Sequence, residues 1–275
     1  MMLNEEESKR LLADRFDLFT RHLIAAVLNI SDPTGKQPPR REILPGILLR
    51  CRNRSFYLSA GHMLEGIEEG IRTGNMKVDN AVFVDSFGPK APHPRPVPFG
   101  FADLPRYYVN NSQLGLDIGL IELTPFAYHF LPLFEVNKIM PIEEDHWTGQ
   151  DLRAFAEFYV LGFPKNLHEG FFAYDKPAVM RPALIPLEWI QDPSEEVTKG
   201  RKALFCGRFS EKLEVSIEGA SGGPIFGVKT KPELQYQVVA MQFAQRAHDR
   251  IAIGCVMPFI GLLLTKWIEK NEESA

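Results

Sequence analysis

Three short segments carry residue types that could act together in group transfer. In Leu58-Ser59-Ala60-Gly61-His62 an apolar run ends in small residues and then a histidine. In Leu116-Asp117-Ile118-Gly119-Leu120 an acid stands just before an apolar run. In Glu218-Gly219-Ala220-Ser221-Gly222-Gly223-Pro224 a serine lies inside a glycine-rich turn. A serine hydroxyl is a poor nucleophile at neutral pH; it needs a base within hydrogen-bond reach, and the base needs an acid that fixes its tautomer. His62, Asp117 and Ser221 supply those three types in that order. Gly219 and Gly222 allow backbone angles denied to residues with a Cβ, so the N–H groups of Gly219 and Ser221 can converge on one point. Two such donors can hold the oxyanion of an acyl-transfer intermediate, and losing one raises the barrier by about 3–4 kcal/mol. Each segment also has a plain structural alternative: a packed histidine, a capping acid at a strand edge, a tight hairpin turn.

The elements that must position these residues follow from apolar spacing. Over residues 4–30, Leu12, Phe16, Phe19, Leu23 and Val27 recur at intervals of three and four, which predicts a helix with one apolar face. Its first half is crowded with charge. Docking on the body of the same protein is the plainest role, with a partner-binding or membrane-surface helix as alternatives; the acidic start disfavours the membrane. Ser31 to Gly35 ends the helix and Pro38-Pro39 continues as a linker. Short runs rich in β formers follow: Gly46–Arg50 and Ser55–Ser59 as a hairpin, then Ala81–Asp85 and Ile118–Leu123. Between Ser86 and Gly100 five prolines predict a surface loop. Residues 129–150 are mixed and charged, as suits a connection between two halves. The second half repeats the style at Phe158–Leu161, Lys202–Cys206, Lys212–Ile217, Gln235–Phe243 and Ile251–Met257. From Pro258 the pattern turns helical, with Phe259, Leu262, Leu263, Trp267 and Ile268 on one face. Many short strands with turns between them predict two antiparallel barrels or a sandwich.

Composition narrows the classes. The chain has 275 residues, 45% of them apolar, enough for a sizeable core. With 31 Lys+Arg against 35 Asp+Glu the formal net charge is −4, which argues against a nucleic-acid partner. No apolar run reaches the roughly 20 residues needed to cross a bilayer, and Met1 to Arg10 lacks the features of a secretory signal, so no membrane partner is expected. Three cysteines is too few and odd a number for a disulfide-stapled fold. The expectation is a reduced, cytoplasmic protein. The remaining histidines, His22, His93, His129, His146, His168 and His248, show no metal-ligand spacing, and no cofactor is expected.

LSAGH, LDIGL and GASGGP, in that order, resemble the trypsin/chymotrypsin-like serine peptidases. The likeness is closer to bacterial members, the Deg-type (high-temperature-requirement) proteases. Val160-Leu161-Gly162-Phe163-Pro164 is similar to the strand end in their second barrel, Val239-Ala240-Met241-Gln242 to the strand that lines the substrate cleft, and Ile253-Gly254-Cys255-Val256-Met257-Pro258 to the strand leading into a C-terminal helix. The likeness spans about residues 43–270. It implies an all-β fold of two antiparallel six-stranded barrels with an added N-terminal and a C-terminal helix. The divisions would be 1–42 (helix and linker), 43–128 (first barrel), 129–150 (connection), 151–258 (second barrel) and 259–275 (helix). It implies a protein or peptide substrate, cleaved by Ser221 with His62 as base, Asp117 orienting the base, and the Gly219 and Ser221 N–H groups as oxyanion hole.

Departures from the family pattern sharpen this. Family members activated by a zymogen cut have an Asp before the serine; here that residue is Ala220, so no activation by N-terminal cleavage is expected. Met63 stands where secreted relatives place a disulfide cysteine. Deg-type proteases carry a peptide-binding domain after the protease, and none is expected after Pro258. Val215 would form the floor of the primary pocket, with Val239, Ala240, Met241 and Gly254 around it, which favours an apolar residue before the scissile bond. The competing reading is a non-cleaving or partner-activated module of the same fold, with the N-terminal helix or the proline-rich loop as the handle for an activating protein.

Overall fold

A computed structural model describes residues 5–84, 96–111, 113–124, 142–144, 147, 151–167, 180–199, 201, 204–210 and 217–272. The first half opens with helix α1 (Glu5–Phe19) and continues through β1 (Ile24–Ser31), β2 (Arg40–Cys51), β3 (Arg54–Ser59), helix α2 (Gly61–Arg72), β4 (Lys77–Val84), β5 (Val97–Pro98), β6 (Arg106–Asn111) and β7 (Leu116–Leu123). These strands form one seven-stranded antiparallel sheet in the order β5-β4-β1-β2-β3-β7-β6. The second half contains β8 (Glu157–Gly162), β9 (Ala183–Trp189), a single helical turn α3 (Glu195–Thr198), β10 (Leu204–Arg208), β11 (Pro224–Lys229), β12 (Gln235–Arg246), β13 (Ile251–Val256) and the C-terminal helix α4 (Met257–Glu272). Its six strands close into a barrel in the order β10-β13-β12-β11-β8-β9. The molecule is thus mostly β, in two sheet-built halves with a helix at each end. No helix among the described residues is long and apolar enough to cross a membrane.

The N-terminal expectation needs correction. The helix ends at Phe19, and Ile24–Ser31 is a strand paired with both β2 and β4. Leu23 and Val27 match helical spacing only because nearly every position there is apolar. Ile24, Ala26, Leu28 and Ile30 face the core inside the first sheet, while Ala25 and Val27 face the core between the halves. A strand buried on both faces shows no alternation. The first sheet therefore begins at Ile24, before the expected boundary at 43, and has seven strands rather than six. Helices α2 and α3 and strands β5, β6, β9 and β11 were not expected from the sequence. The hairpin of β2 and β3, strands β4, β7, β8, β12 and β13, and the C-terminal helix stand where the apolar runs placed them, within a few residues. Only residues 142–144 and 147 of the expected connection are described. Ile142 bonds to β2 through both its N–H and its carbonyl, and Trp147 lies against Gly261 of α4. Most of the proline-rich loop and all of the expected strand 212–217 except Ile217 lie outside the described residues.

The two terminal helices cross over. Helix α1 precedes the first sheet but packs on the second half: Phe19 stacks on Phe226 with ring centroids 4.2 Å apart, and the Arg15 guanidinium lies 3.4 Å from Glu157. Helix α4 follows the barrel but packs on the first half. Trp267 meets Phe56 edge-on with centroids 5.6 Å apart, Arg54 covers its ring at 5.4 Å, and Glu269 pairs with Arg52 at 2.8 Å. The core between the halves includes Phe19, Leu161, Phe226, Met241, Ile260 and Leu264. It fixes the cleft in which the sequence-derived residues meet.

Candidate active site

His62 lies in the first turn of α2, directly after β3. Ala60 is the last extended residue, at φ −74° and ψ 137°. The start of α2 sits tightly on β6 and β7, and Gly61 makes this possible: a Cβ there would lie 2.6 Å from the Val109 carbonyl and 2.7 Å from the Ile118 N–H. That close approach sets His62 beside Asp117, the residue before Ile118. Asp117 is 6% exposed, and its carboxylate holds His62 twice. Oδ1 accepts the His62 backbone N–H at 2.7 Å, and Oδ2 lies 2.6 Å from His62 Nδ1. Opposite a carboxylate Nδ1 carries the hydrogen, which leaves Nε2 as the basic nitrogen. The hydrogen bond that the ring donates to Asp117 raises the His62 pKa above its ordinary value; burial opposes this, and the charges of Asp117 and Glu65 add to the rise. Cys255 stands near the same carboxylate, and burial together with the Asp117 charge pushes its thiol up to about 12.

Ser221 lies in the turn before β11. Gly219 and Gly222 both have φ +89°, a region that disfavours any side chain. Gly222 also packs against Ser59 Oγ and the Pro45 carbonyl of the first half, so the turn is pressed against the strands that lead to His62. Gly162, at the end of β8, backs onto Ala220. The N–H groups of Ala220, Gly222 and Gly223 donate to the carbonyls of Ile217 (3.0 Å), Gln242 (2.7 Å) and Ala220 (2.8 Å). Among the described residues, those of Gly219 and Ser221 have no acceptor. The Gly219 and Ser221 N–H groups are thus left available at the turn that carries the serine.

His62 and Ser221 line one cleft of ≈ 480 Å³ with Gly219, Met63 and Phe163, and its surface is mostly apolar. The Ser221 hydroxyl donates to the Phe243 carbonyl at 3.4 Å, not to the His62 ring. Phe243 falls at a register shift between Gln242 and Ala244 in the β12–β13 pairing, outside the ladder. The structure thus brings His62 and Asp117 into contact and sets Ser221 in their cleft with its hydroxyl turned to β12.

The expected substrate-pocket residues lie elsewhere. Val239 and Ala240 are fully buried inside the barrel, and Met241 is buried between the halves. Gly254 faces Ile225 and Ala240 in the barrel wall. None of the four lines the cleft. Strand β12 reaches the serine only at its register shift, through the Phe243 carbonyl. Val215 lies outside the described residues. Phe243 and the cleft-lining start of β2, Arg40 to Ile43, were not expected at the site from the sequence; three charged residues followed by Ile43 and Leu44 show no period-2 alternation that would mark a strand there. His22 is buried and contacts the Tyr236 hydroxyl at 3.1 Å, and His248 pairs with Asp249.

Neither a protein-family model nor a curated protein matches the sequence. Among solved structures the chain is similar to HL collagenase, with 12% identity, a TM-score of 0.49, and 94% of this chain and 95% of that chain covered. At that identity the likeness carries nothing about the chemistry of this site, which rests on the geometry above.

Proposed function

We propose that the chain is a serine endopeptidase that cleaves peptide bonds through an acyl-enzyme. The observation that carries this reading is the double hold of Asp117 on His62, at the backbone N–H and at Nδ1. A carboxylate that fixes both the position and the tautomer of a half-exposed imidazole suits that ring to act as a base. In the proposed mechanism Ser221 Oγ leaves the Phe243 carbonyl and gives its proton to His62 Nε2 as it attacks the substrate carbonyl. The Gly219 and Ser221 N–H groups take the oxyanion. His62 then protonates the leaving amine, and water clears the acyl-enzyme by the same steps in reverse. Loss of Ser221 or His62 is expected to lower turnover by on the order of 10⁶.

A second reading has its own support. The Ser221 hydroxyl bonded to Phe243 suits a module that cleaves only after a partner reorients the serine, or does not cleave at all. A fluorophosphonate probe separates these cases. Labelling of the wild type and not of Ser221→Ala supports the constitutive enzyme. Labelling only in the presence of cell extract supports partner activation. No labelling under either condition overturns the protease reading.

Three finer assignments belong to the same proposal. Kinship with the bacterial Deg-type proteases rests on the VLGFP and IGCVMP segments. An apolar residue before the scissile bond rests on Val215 and is tested by a peptide-library cleavage profile. A cytoplasmic, reducing setting is supported by Cys51, Cys206 and Cys255, which are all free and buried.

A further inference from the structure

The cleft that holds His62 and Ser221 extends to one side of them. Its other walls come from the start of β2, from Met63 beside the base, and from Phe163 and Lys165 beyond β8. Among the described residues no part of β12 or β13 lines it, although β12 carries the Phe243 carbonyl on which the serine rests. After attack, the acyl half of a substrate is bonded to Ser221, while the leaving amine must stand within hydrogen-bond reach of His62. The chain beyond that amine therefore runs over the residues that adjoin His62, which are Met63 and the start of β2. The cleft lies there, and at ≈ 480 Å³ it has room for more than a glycine.

The lining also says what it would accept. Charge at the rim is already compensated: Arg40 Nε donates to Glu42 at 2.9 Å, Lys165 Nζ donates to Glu218 at 3.0 Å, and Arg41 is engaged within the protein as well. A charged guest would have to break one of these pairs or lose water without a partner. Beneath the rim lie Ile43, Met63 and Phe163. Ile43 and Phe163 are 8% and 2% exposed and packed into the core between the halves, so their positions are fixed. Met63 is half-buried and supplies an adaptable wall.

We propose that this cleft receives the first residue after the scissile bond and selects an apolar side chain, with Met63 and Phe163 as the specificity-determining residues. The proposal rests on the acyl-transfer reading of the site.

The test separates the two. A blocked amino-acid p-nitrophenyl ester has no residue beyond the scissile bond, so it acylates Ser221 without using the cleft and releases nitrophenolate. Leucinamide or glycinamide is then offered as acceptor, under the condition in which the fluorophosphonate probe labels Ser221. The amine attacks the acyl carbonyl, a C–N bond forms and the C–Oγ bond breaks, and His62 passes the amine proton to Oγ. The ratio of amide to acid product, read by mass spectrometry, reports the cleft alone. We expect leucinamide to be captured at least tenfold better than glycinamide, and the ratio to fall toward one in Met63→Ser. Phe163→Ala is expected to act the same way; Met63→Ser, at a half-buried position, decides the matter if the Phe163 variant does not fold. Equal capture of both amides by the wild type, or preferred capture of aspartamide or argininamide, overturns the cleft assignment. Absence of nitrophenolate release together with absence of probe labelling overturns the acyl-transfer reading beneath it.

Discussion

Phe19, the last residue of α1, stacks on Phe226 of β11 with ring centroids 4.2 Å apart and planes 10° from parallel. The residue is fully buried, and Tyr159 and Tyr236 close around it at 5.8 and 5.2 Å. A helix that precedes the first sheet is thereby anchored on the second half. Phe19→Ala is expected to cost about 3–5 kcal/mol, measured by denaturant unfolding. Removal of residues 1–19 is expected to lower the melting temperature and to give no gain in activity. A truncated protein more active than the full chain would overturn both this and the reading of Ala220.

Gly61 is predicted to be intolerant of even one methyl group. Its Cβ would stand 2.6 Å from the Val109 carbonyl, a backbone atom with no rotamer to yield. The start of α2 must then move off β7, and Asp117 loses its hold on His62. Gly61→Ala is expected to destabilise the protein by about 1–3 kcal/mol and to lower probe labelling of Ser221 by more than the loss of folded protein explains. Circular dichroism and labelling rate measured on one sample distinguish the two effects.

Asp117→Asn is expected to leave a folded protein with turnover lower by on the order of 10⁴. The side chain keeps its shape and still accepts the His62 backbone N–H, but the amide no longer favours a protonated Nδ1. Unchanged ester turnover in this variant would remove Asp117 from the mechanism.

The pH dependence has a definite sign. Asp117 raises the His62 pKa above its ordinary value, and the base is the neutral ring. Activity should therefore rise with pH through a midpoint above that of a free histidine. The same pair contributes stability that is complete below the unfolded-state pKa and is lost as pH rises through the folded one. In Asp117→Asn the principal cause of the rise is gone while burial remains, so the titration of His62 is expected to move below the ordinary value. An NMR titration of the imidazole in both proteins checks the shift and its direction.

Much of the site is written locally. The glycines around Ser221, the Gly61-His62 pair and Asp117 before an apolar run are legible without a structure, because turn chemistry and close approach restrict which residues can stand there. The terminal helices are legible as helices for a similar reason, but the buried face of the C-terminal one is Ile260, Gly261, Leu264 and Ile268, with Leu262 of the expected face exposed, because the core between the halves decides which side is covered. Other features depend on what packs against what. Ile24–Ser31 reads as helix and is a strand, because it is buried on both faces and alternation vanishes. Val239, Ala240 and Met241 read as cleft and are core, because only the register shift at Phe243 turns β12 toward the serine. The sequence by itself determined which residues could form a nucleophile, a base and an oxyanion site, and in what order. Only the tertiary structure decided that Asp117 grips His62 at two atoms, that Ser221 rests on Phe243, and that Met63 and Phe163 wall the cleft. Apolar spacing along a chain records how much of a residue is buried, whereas those relationships are set by contacts between segments far apart in sequence.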